Sequence, residues 1–290
     1  MSKYYYLIAG LPTISPEDTK LTYTVSEFKA ELESYLSKSD KRLMRWFYMK
    51  YDNRNLLLII RNLHEERFDG RGNFVLADLQ TFYHALKERE RVPKKLAIPA
   101  YMTKFVQAYL SRLDDEGAAD YRLLEDQLSA LYYEEAMRCG NKFLAAWFEL
   151  NLNMGNLLTV LNCRKHGLDK EHYIVGDNVF AHLLRTSGTR DLHANELDDY
   201  MAKMVQIAEV KEPMNREKQL DLLRWKWLED NTFYKVFDIE SIIAYMLQLE
   251  MIERWVSLDK SIGEKTFRRL VLDMKQESVD TLEKFKETNK

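Results

Sequence analysis

Cysteine and histidine residues that could bind a metal ion lie close together in one stretch of the chain. Cys163 and His166 are three residues apart, about one helical turn, and His172 follows shortly after. A structural zinc site needs four such ligands, usually with paired cysteines, and Cys139 stands too far away to form a CxxC pair. The remaining histidines are scattered. The sequence therefore predicts neither a metal site nor a cofactor.

Two other polar stretches could do chemistry, and both have a simpler interpretation. The stretch RTSGTR from Arg185 to Arg190 could hold a phosphate, but the phosphate-binding pattern GxxxxGK[ST] is absent from the chain. The acidic cluster at Asp114, Asp115 and Glu116 precedes a glycine, where a solvated loop or helix end is expected. We therefore expect an exposed basic turn and a solvated acidic segment. No catalytic residue is predicted, and a non-enzyme is expected.

Composition favours a helical protein of the reducing cytoplasm. The chain of 290 residues has only 10 glycines and 5 prolines, and many-stranded folds consume many of both in turns. A net charge of −3 gives no overall basic field for nucleic acid. Two cysteines provide no disulfide framework. The apolar run that begins the chain is too short for a membrane span or a secretory signal.

Helical periodicity extends over most of the chain and predicts an all-α fold. A capping-box pattern at Thr24–Glu27 opens one helix, and Ser39-Asp40 is expected to cap the next. Only Tyr4–Ala9 is ambiguous, because its aromatic residues weakly favour a strand. The predicted helices span approximately residues 24–37, 40–64, 76–91, 99–113, 115–139, 142–166, 195–210, 215–230, 238–258 and 263–275. A further short helix is predicted between the loop-like stretches 172–178 and 186–193.

One sequence pattern, with Trp-Phe followed by Asn-Leu-Leu, occurs twice, and we call it the repeated phrase. WFYMKYDNRNLL begins at Trp46 and WFELNLNMGNLL at Trp147, so that Asn55 and Asn156 stand at the same place in each. Coincidence between two apolar helices is one explanation, and an internal duplication that builds a core from two copies is the better one. A buried amide needs partners, so the asparagines predict a recurring bond to a neighbouring helix end. A solvated asparagine is the alternative.

These repeated residues resemble a known family, the subunit of A/V-type rotary ATPases called C in bacteria and d in eukaryotes. The stretch DNRNLLLIIR, ending at Arg61, is similar to that family's first motif. The stretch from Asn156 through Asp169 resembles its second copy. Ile239-Glu240 and the residues from Tyr245 to Glu253 resemble its third, with a tyrosine and glutamates before the final helices. The sequence departs from the family pattern mainly where Leu57, Leu158 and Asn162 stand at positions that are usually basic.

The resemblance implies a fold and a function. It implies an all-helical funnel or wedge of three quasi-repeated subdomains, at approximately residues 1–100, 101–205 and 206–290. It also implies a non-catalytic adaptor of proton or sodium transport, which links the central rotor shaft to the membrane proteolipid ring at the inner face of the membrane. The opening YYYLIAGLP resembles that of bacterial proteins encoded in V-type ATPase gene clusters.

Partner anchors for such an adaptor are expected at Trp225 and Trp227, because tryptophan is favoured at interface centres. Two residues apart on a helix, they point to different faces, so one is expected in the core and the other exposed or docked. The alternative interpretation is a cytoplasmic helical scaffold or regulatory protein, or a helical enzyme with a site that the sequence does not reveal.

Overall fold

The computed structural model describes residues 4–21, 23–63, 65–116, 121–186 and 199–258, and within these residues every regular element is helical. Three short 3₁₀ turns lie between the α-helices, at Glu65–Arg67, Lys94–Leu96 and Lys170–Tyr173. The α-helices are α1 (Tyr5–Gly10), α2 (Val25–Tyr35), α3 (Lys38–Ile60), α4 (Leu76–Lys87), α5 (Ala100–Glu116), α6 (Tyr121–Ala136), α7 (Lys142–His166), α8 (Val179–Thr186), α9 (Asp199–Ala208), α10 (Pro213–Thr232) and α11 (Ile239–Ser257). The all-α prediction is confirmed.

The weak preference for a strand at Tyr4–Ala9 is wrong, because this segment forms α1. Tyr4 and Leu7 are both buried, each 3% exposed, whereas Tyr6 is 72% exposed. A spacing of three residues between buried side chains is that of a helix, and a strand would bury alternate residues. The helical periodicity of burial therefore outweighs the strand preference of the tyrosines.

The predicted start of α2 is confirmed and that of α3 is shifted. The hydroxyl and backbone N–H of Thr24 both donate to the Glu27 carboxylate, and the Glu27 N–H donates back to the hydroxyl at 3.2 Å. This reciprocal pair is the capping box. Helix α3 is capped by Ser37, whose hydroxyl accepts from Asp40 N–H at 3.3 Å, and not by the Ser39-Asp40 pair.

Several predicted helix ends differ from the observed ones. Helix α3 ends at Ile60, four residues before the expected end. The stretch predicted as one helix over residues 115–139 is shared between the end of α5 and α6. The helix predicted over residues 263–275 lies outside the described residues.

Contacts along the backbone divide the chain into two compact units. The first combines the residues through Tyr35 with those from Leu228 onward, and the second covers Leu36–Trp227. Three interactions join α2 to α11 within the first unit. The Phe28 and Tyr245 rings meet edge to face at 5.2 Å, Lys29 pairs with Glu250 at 3.1 Å, and Val25 N–H donates to Glu253 at 3.4 Å.

The second unit is built around the long helices α3 and α7. Helix α3 packs on α4 and α6, and α7 packs on α6, α8 and α9. The two long helices also touch directly, because the rings of Phe47 and Phe148 lie 5.5 Å apart. These phenylalanines follow Trp46 and Trp147 in the repeated phrase, so equivalent residues of the two copies meet in the core of the unit.

Candidate functional site

The repeated asparagine of α3 ties a loop to the side of the helix. Asn55 is fully buried, and both ends of its amide bond the backbone of Asp69. The amide NH₂ donates to the Asp69 carbonyl at 2.9 Å, and the amide oxygen accepts from the Asp69 N–H at 2.8 Å. We call this arrangement, in which one asparagine side chain pairs with the N–H and the C=O of a single loop residue, the asparagine clamp.

Helix α7 contains a second asparagine clamp of the same geometry. Asn156 is 2% exposed, donates to the Val175 carbonyl at 2.8 Å and accepts from the Val175 N–H at 2.8 Å. The clamped loop leads to α8, as the loop clamped by Asn55 leads to α4. The partner is therefore the backbone of a loop that precedes a short helix, and not a helix end as the sequence suggested.

A second pair of residues strengthens each clamp, three positions before the asparagine. In the first copy, Asp52 accepts from Asn73 through both its backbone N–H, at 2.9 Å, and its side-chain amide, at 2.6 Å, and from the Phe74 N–H at 3.1 Å. In the second copy, Asn153 accepts from the side-chain amide of Asn178 at 2.8 Å. Each loop is thus held at two points by one face of a long helix.

Glycine is required where the first loop crosses its helix. A Cβ atom at Gly72 would stand 2.3 Å from the Asp52 carboxylate, far inside van der Waals contact. Gly176 of the second loop has φ +78°, a conformation that other residues rarely adopt. Arg185 of α8 completes this second loop by donating to the carbonyls of Ile174 and Gly176, at 3.0 and 2.6 Å.

The carboxylates of the first clamp have pKa values that are shifted in opposite directions. Burial raises the pKa of Asp52, and this effect outweighs the hydrogen bonds from Asn73 and Phe74 that favour its charged form. Hydrogen bonds from Arg71 lower the pKa of Asp69 to about 2. The Arg71 guanidinium lies 2.7 Å from that carboxylate and 4.2 Å above the Tyr51 ring. The first loop is therefore held to α3 by the backbone of Asp69. It is also held by Arg71, which pairs with the Asp69 carboxylate and lies over the Tyr51 ring of α3.

The two tryptophans of the repeated phrase lie in similar aromatic settings, but their exposure differs. Trp46 is half-buried beside Tyr132 of α6, with the ring centroids 6.3 Å apart and the Tyr132 hydroxyl donating to the Trp46 carbonyl at 2.8 Å. Trp147 is 6% exposed and lies 5.5 Å from Trp227 of α10. In each copy the long helix therefore meets an aromatic residue of another helix.

The expectation that Trp225 or Trp227 is exposed for a partner is wrong for this structure. Both are buried, at 5% and 7% exposed, and Trp227 also lies 5.5 Å from Phe143. Helix α10 packs on more than one side, so residues that point to different faces are both covered. Neither tryptophan offers an exposed anchor.

The other motif residues sit at helix ends or between helices. Arg61 follows the last residue of α3, and Gly167 ends α7 in the left-handed conformation, with φ +66°. The N–H of Leu168 then bonds the Cys163 carbonyl at 2.9 Å, a frequent helix ending. Glu253 of α11 accepts from the first residue of α2, as described above. Gly167 and Glu253 therefore serve local structure.

The polar residues weighed for chemistry do not converge. Cys163 is buried in α7, whereas His172 is largely exposed beside Asp169, at 3.4 Å. Among the described residues, no group of three metal-binding side chains is present. Asp114 is exposed and pairs with Arg89 at 3.1 Å. Residues 187–190 of the RTSGTR stretch lie outside the described residues, and Arg185 belongs to the second loop.

Sequence reasoning identified both asparagines but missed the additional polar pairs that strengthen the clamps. Asp52, Asn73 and Asn178 were not singled out as site residues. A signal was available, because each loop contains a glycine followed within two residues by an asparagine, at Gly72 and at Gly176, shortly before a helix. The same signal would have indicated that the duplication extends beyond the long helices.

The described residues form an all-α protein in which a helix–loop–helix element with an asparagine clamp occurs twice. The family described as "Protein of unknown function (DUF2764)" matches residues 1–278, and the chain therefore belongs to this family. Comparison with curated proteins and with solved structures gave no match. In the described part of the chain, every helix is too short or too polar to cross a lipid bilayer.

Proposed function

We propose that the protein is a non-catalytic adaptor of a V-type rotary ATPase, which links the central rotor shaft to the membrane proteolipid ring. The observation that carries this proposal is the pair of asparagine clamps. Asn55 and Asn156 belong to the stretches that resemble the rotary ATPase subunit, and they are also the residues that hold the two loops. The resemblance therefore involves residues with a shared structural role.

The clamps suit a mechanical role because they remove freedom from the connections between helices. A loop is normally the softest part of a helical protein, and torque applied to such a body is lost where loops yield. Here each clamped loop is joined to a long helix by paired bonds of 2.8–2.9 Å. Buried bonds of this kind keep α4 and α8 in place when a load acts on α3 and α7.

The full proposal includes a third copy and a location. The funnel of three subdomains requires α10 and α11 to act as the third copy, with the shaft and the ring binding different faces at the inner side of the membrane. Helix α11 has the aromatic residues and glutamates of the motif but lacks the Asn-Leu-Leu. The third copy is therefore proposed without a clamp.

Co-purification from the native cells tests this function. A tagged full-length chain is recovered from detergent-solubilised membranes, and the bound proteins are identified by mass spectrometry. We expect both shaft subunits and the proteolipid to be recovered, because an adaptor contacts both. A parallel purification through a tagged shaft subunit shows that the rotor survives solubilisation. Recovery of the intact rotor without this chain would contradict the proposal.

A pair of variants separates specific assembly from chance association. The double substitution Asn55→Ala/Asn156→Ala loosens both loops, and we expect it to reduce the recovery of rotor subunits at least severalfold at equal amounts of tagged protein. The matched control is Asn215→Ala, because Asn215 is exposed and its side chain accepts from Gln219 on the same helix, at 3.1 Å. Equal recovery with all three proteins would show that the clamped loops play no part in assembly.

A further inference from the structure

A cleft between α3 and α6 collects four positive side chains around one negative one. Lys50, Arg54 and Arg61 come from α3 and its end, Arg67 comes from the 3₁₀ turn that follows, and Glu125 comes from α6. All belong to the second compact unit. The volume of the cleft is about 410 Å³, within the range of roughly 300–1,000 Å³ that is usual for small-molecule sites.

Two of the positive side chains in this cleft, Arg54 and Lys50, make only weak contacts with possible charge partners. The Arg54 side chain is 70% exposed, and its nearest paired carboxylate, that of Asp69, is 3.9 Å away. That carboxylate is already bonded by Arg71 at 2.7 Å. The Lys50 amine lies 5.0 Å from the centre of the Tyr51 ring, a weak contact that leaves its charge intact. An anion of two or more charges would balance the cleft.

The second copy shows that the duplicated fold does not need these cations. At an offset of 101 residues, Lys50, Arg54 and Arg61 correspond to Asn151, Gly155 and Asn162. In the second copy, Arg224 of α10 donates to Asn151, the counterpart of Lys50, at 3.0 Å. Its charge is balanced internally, because it also bonds Asp221 at 3.0 Å. At these three aligned positions, positive side chains are therefore specific to the first copy.

The remaining walls of the cleft are apolar and aromatic. Leu57, Leu128 and Tyr133 line it beside the charged groups. A site that held only an inorganic ion would have no use for such walls, since apolar surface favours a ligand with an apolar part. Arginine forks match phosphate oxygens in pairs, which makes phosphate the anion that best suits three arginines.

We propose that the α3–α6 cleft binds a small phosphate ester of the nucleotide class, with its phosphates on Lys50, Arg54, Arg61 and Arg67 and its apolar part against Leu57 and Tyr133. Binding requires no hydrolysis, and nothing in this site implies any. The proposal does not depend on the adaptor function, because it rests only on the charge and shape of the cleft.

Titration calorimetry of the full-length chain with ADP and with pyrophosphate tests this site. We expect ADP to bind one to one and more tightly than pyrophosphate, because only ADP uses the apolar wall. Both affinities should fall as salt is added. The double substitution Arg54→Ala/Arg67→Ala should weaken ADP about tenfold or more, since it removes two charge-assisted contacts from exposed side chains.

The matched control is Lys87→Ala/Lys104→Ala, which removes the same charge from exposed positions outside the cleft. This control should bind ADP within about twofold of the natural protein. If both double variants weakened ADP binding equally, the binding would be a diffuse electrostatic effect and the proposed site would be refuted. No binding of ADP, or pyrophosphate binding as tight as ADP, would overturn the proposal. Tighter binding of a short polyglutamate peptide than of ADP, with the same dependence on Arg54 and Arg67, would also overturn the proposal. The ligand would then be an acidic protein segment.

Discussion

Removal of one asparagine clamp should destabilise the protein by an amount that can be worked out from its bonds. In Asn55→Ala, two bonds of 2.8 and 2.9 Å are lost, each worth about 1 kcal/mol net. The N–H and C=O of Asp69 also lose their partner in a part-buried place, which adds roughly 1–2 kcal/mol. We therefore expect the free energy of unfolding to fall by about 3–4 kcal/mol, as measured by urea denaturation.

The second clamp provides an internal replicate of this measurement. Asn156→Ala removes the equivalent pair of bonds to Val175 and should lower the free energy of unfolding by a similar amount. The double variant should then lose roughly the sum, because the two clamps share no bonding partner. Asn215→Ala is the control and should change stability by less than about 0.5 kcal/mol. If Asn55→Ala behaved like this control, the clamp would not stabilise the fold and the reasoning would be refuted.

Three further variants test neighbouring parts of the structure. Asp52→Asn should cost about 1–3 kcal/mol in urea denaturation. The two carboxylate oxygens accept three bonds, two from Asn73 and one from the Phe74 N–H, and a single amide oxygen cannot replace them. An unchanged midpoint would contradict this. Asp69→Asn should cost about 1–2 kcal/mol at pH 7. The pKa of this carboxylate is lowered to about 2, below its unfolded value of about 3.9, so its stabilising effect is complete above pH 4 and is lost as the pH falls through 2. Urea midpoints of the two proteins should therefore converge over that range, and a constant difference would show that Arg71 does not act through charge. Trp147→Ala should cost about 3–5 kcal/mol because Trp147 is buried, whereas Trp46→Ala should cost less because Trp46 is only half-buried. The reverse order would show that burial does not decide the loss.

The sequence was sufficient to predict the fold class and most helices, because these depend on local periodicity. Scarce glycine and proline and helical spacing are properties of short windows, and so is the Thr24–Glu27 capping box. The repeated phrase also identified the two asparagines that form the clamps. The prediction for Tyr4–Ala9 was wrong because it used strand preference alone, and the sequence does not show that Tyr4 and Leu7 are both buried.

The partners of the asparagines could not be predicted, because they are backbone atoms of loops. Asn55 reaches a residue 14 positions away and Asn156 one 19 positions away, and the two loops differ in length and sequence. A backbone N–H or C=O carries no side-chain signature, so only the three-dimensional path of the loop reveals it. The exposure of Trp225 and Trp227 was misjudged for a similar reason, since burial on two faces depends on which helices surround α10.

The differences between the two copies indicate how roles are divided within the duplicated body. The residues that both copies share, the asparagine and the Trp-Phe pair, hold loops and build the core, so they are fixed by the fold. Lys50 and Asn151 occupy equivalent positions, yet one lines an open positive cleft and the other bonds an arginine that is balanced by an aspartate. Positions whose side chains are not needed for packing or for holding a loop can differ between the copies. The two copies can therefore share the asparagine clamp while differing in charge at the positions of Lys50 and Asn151.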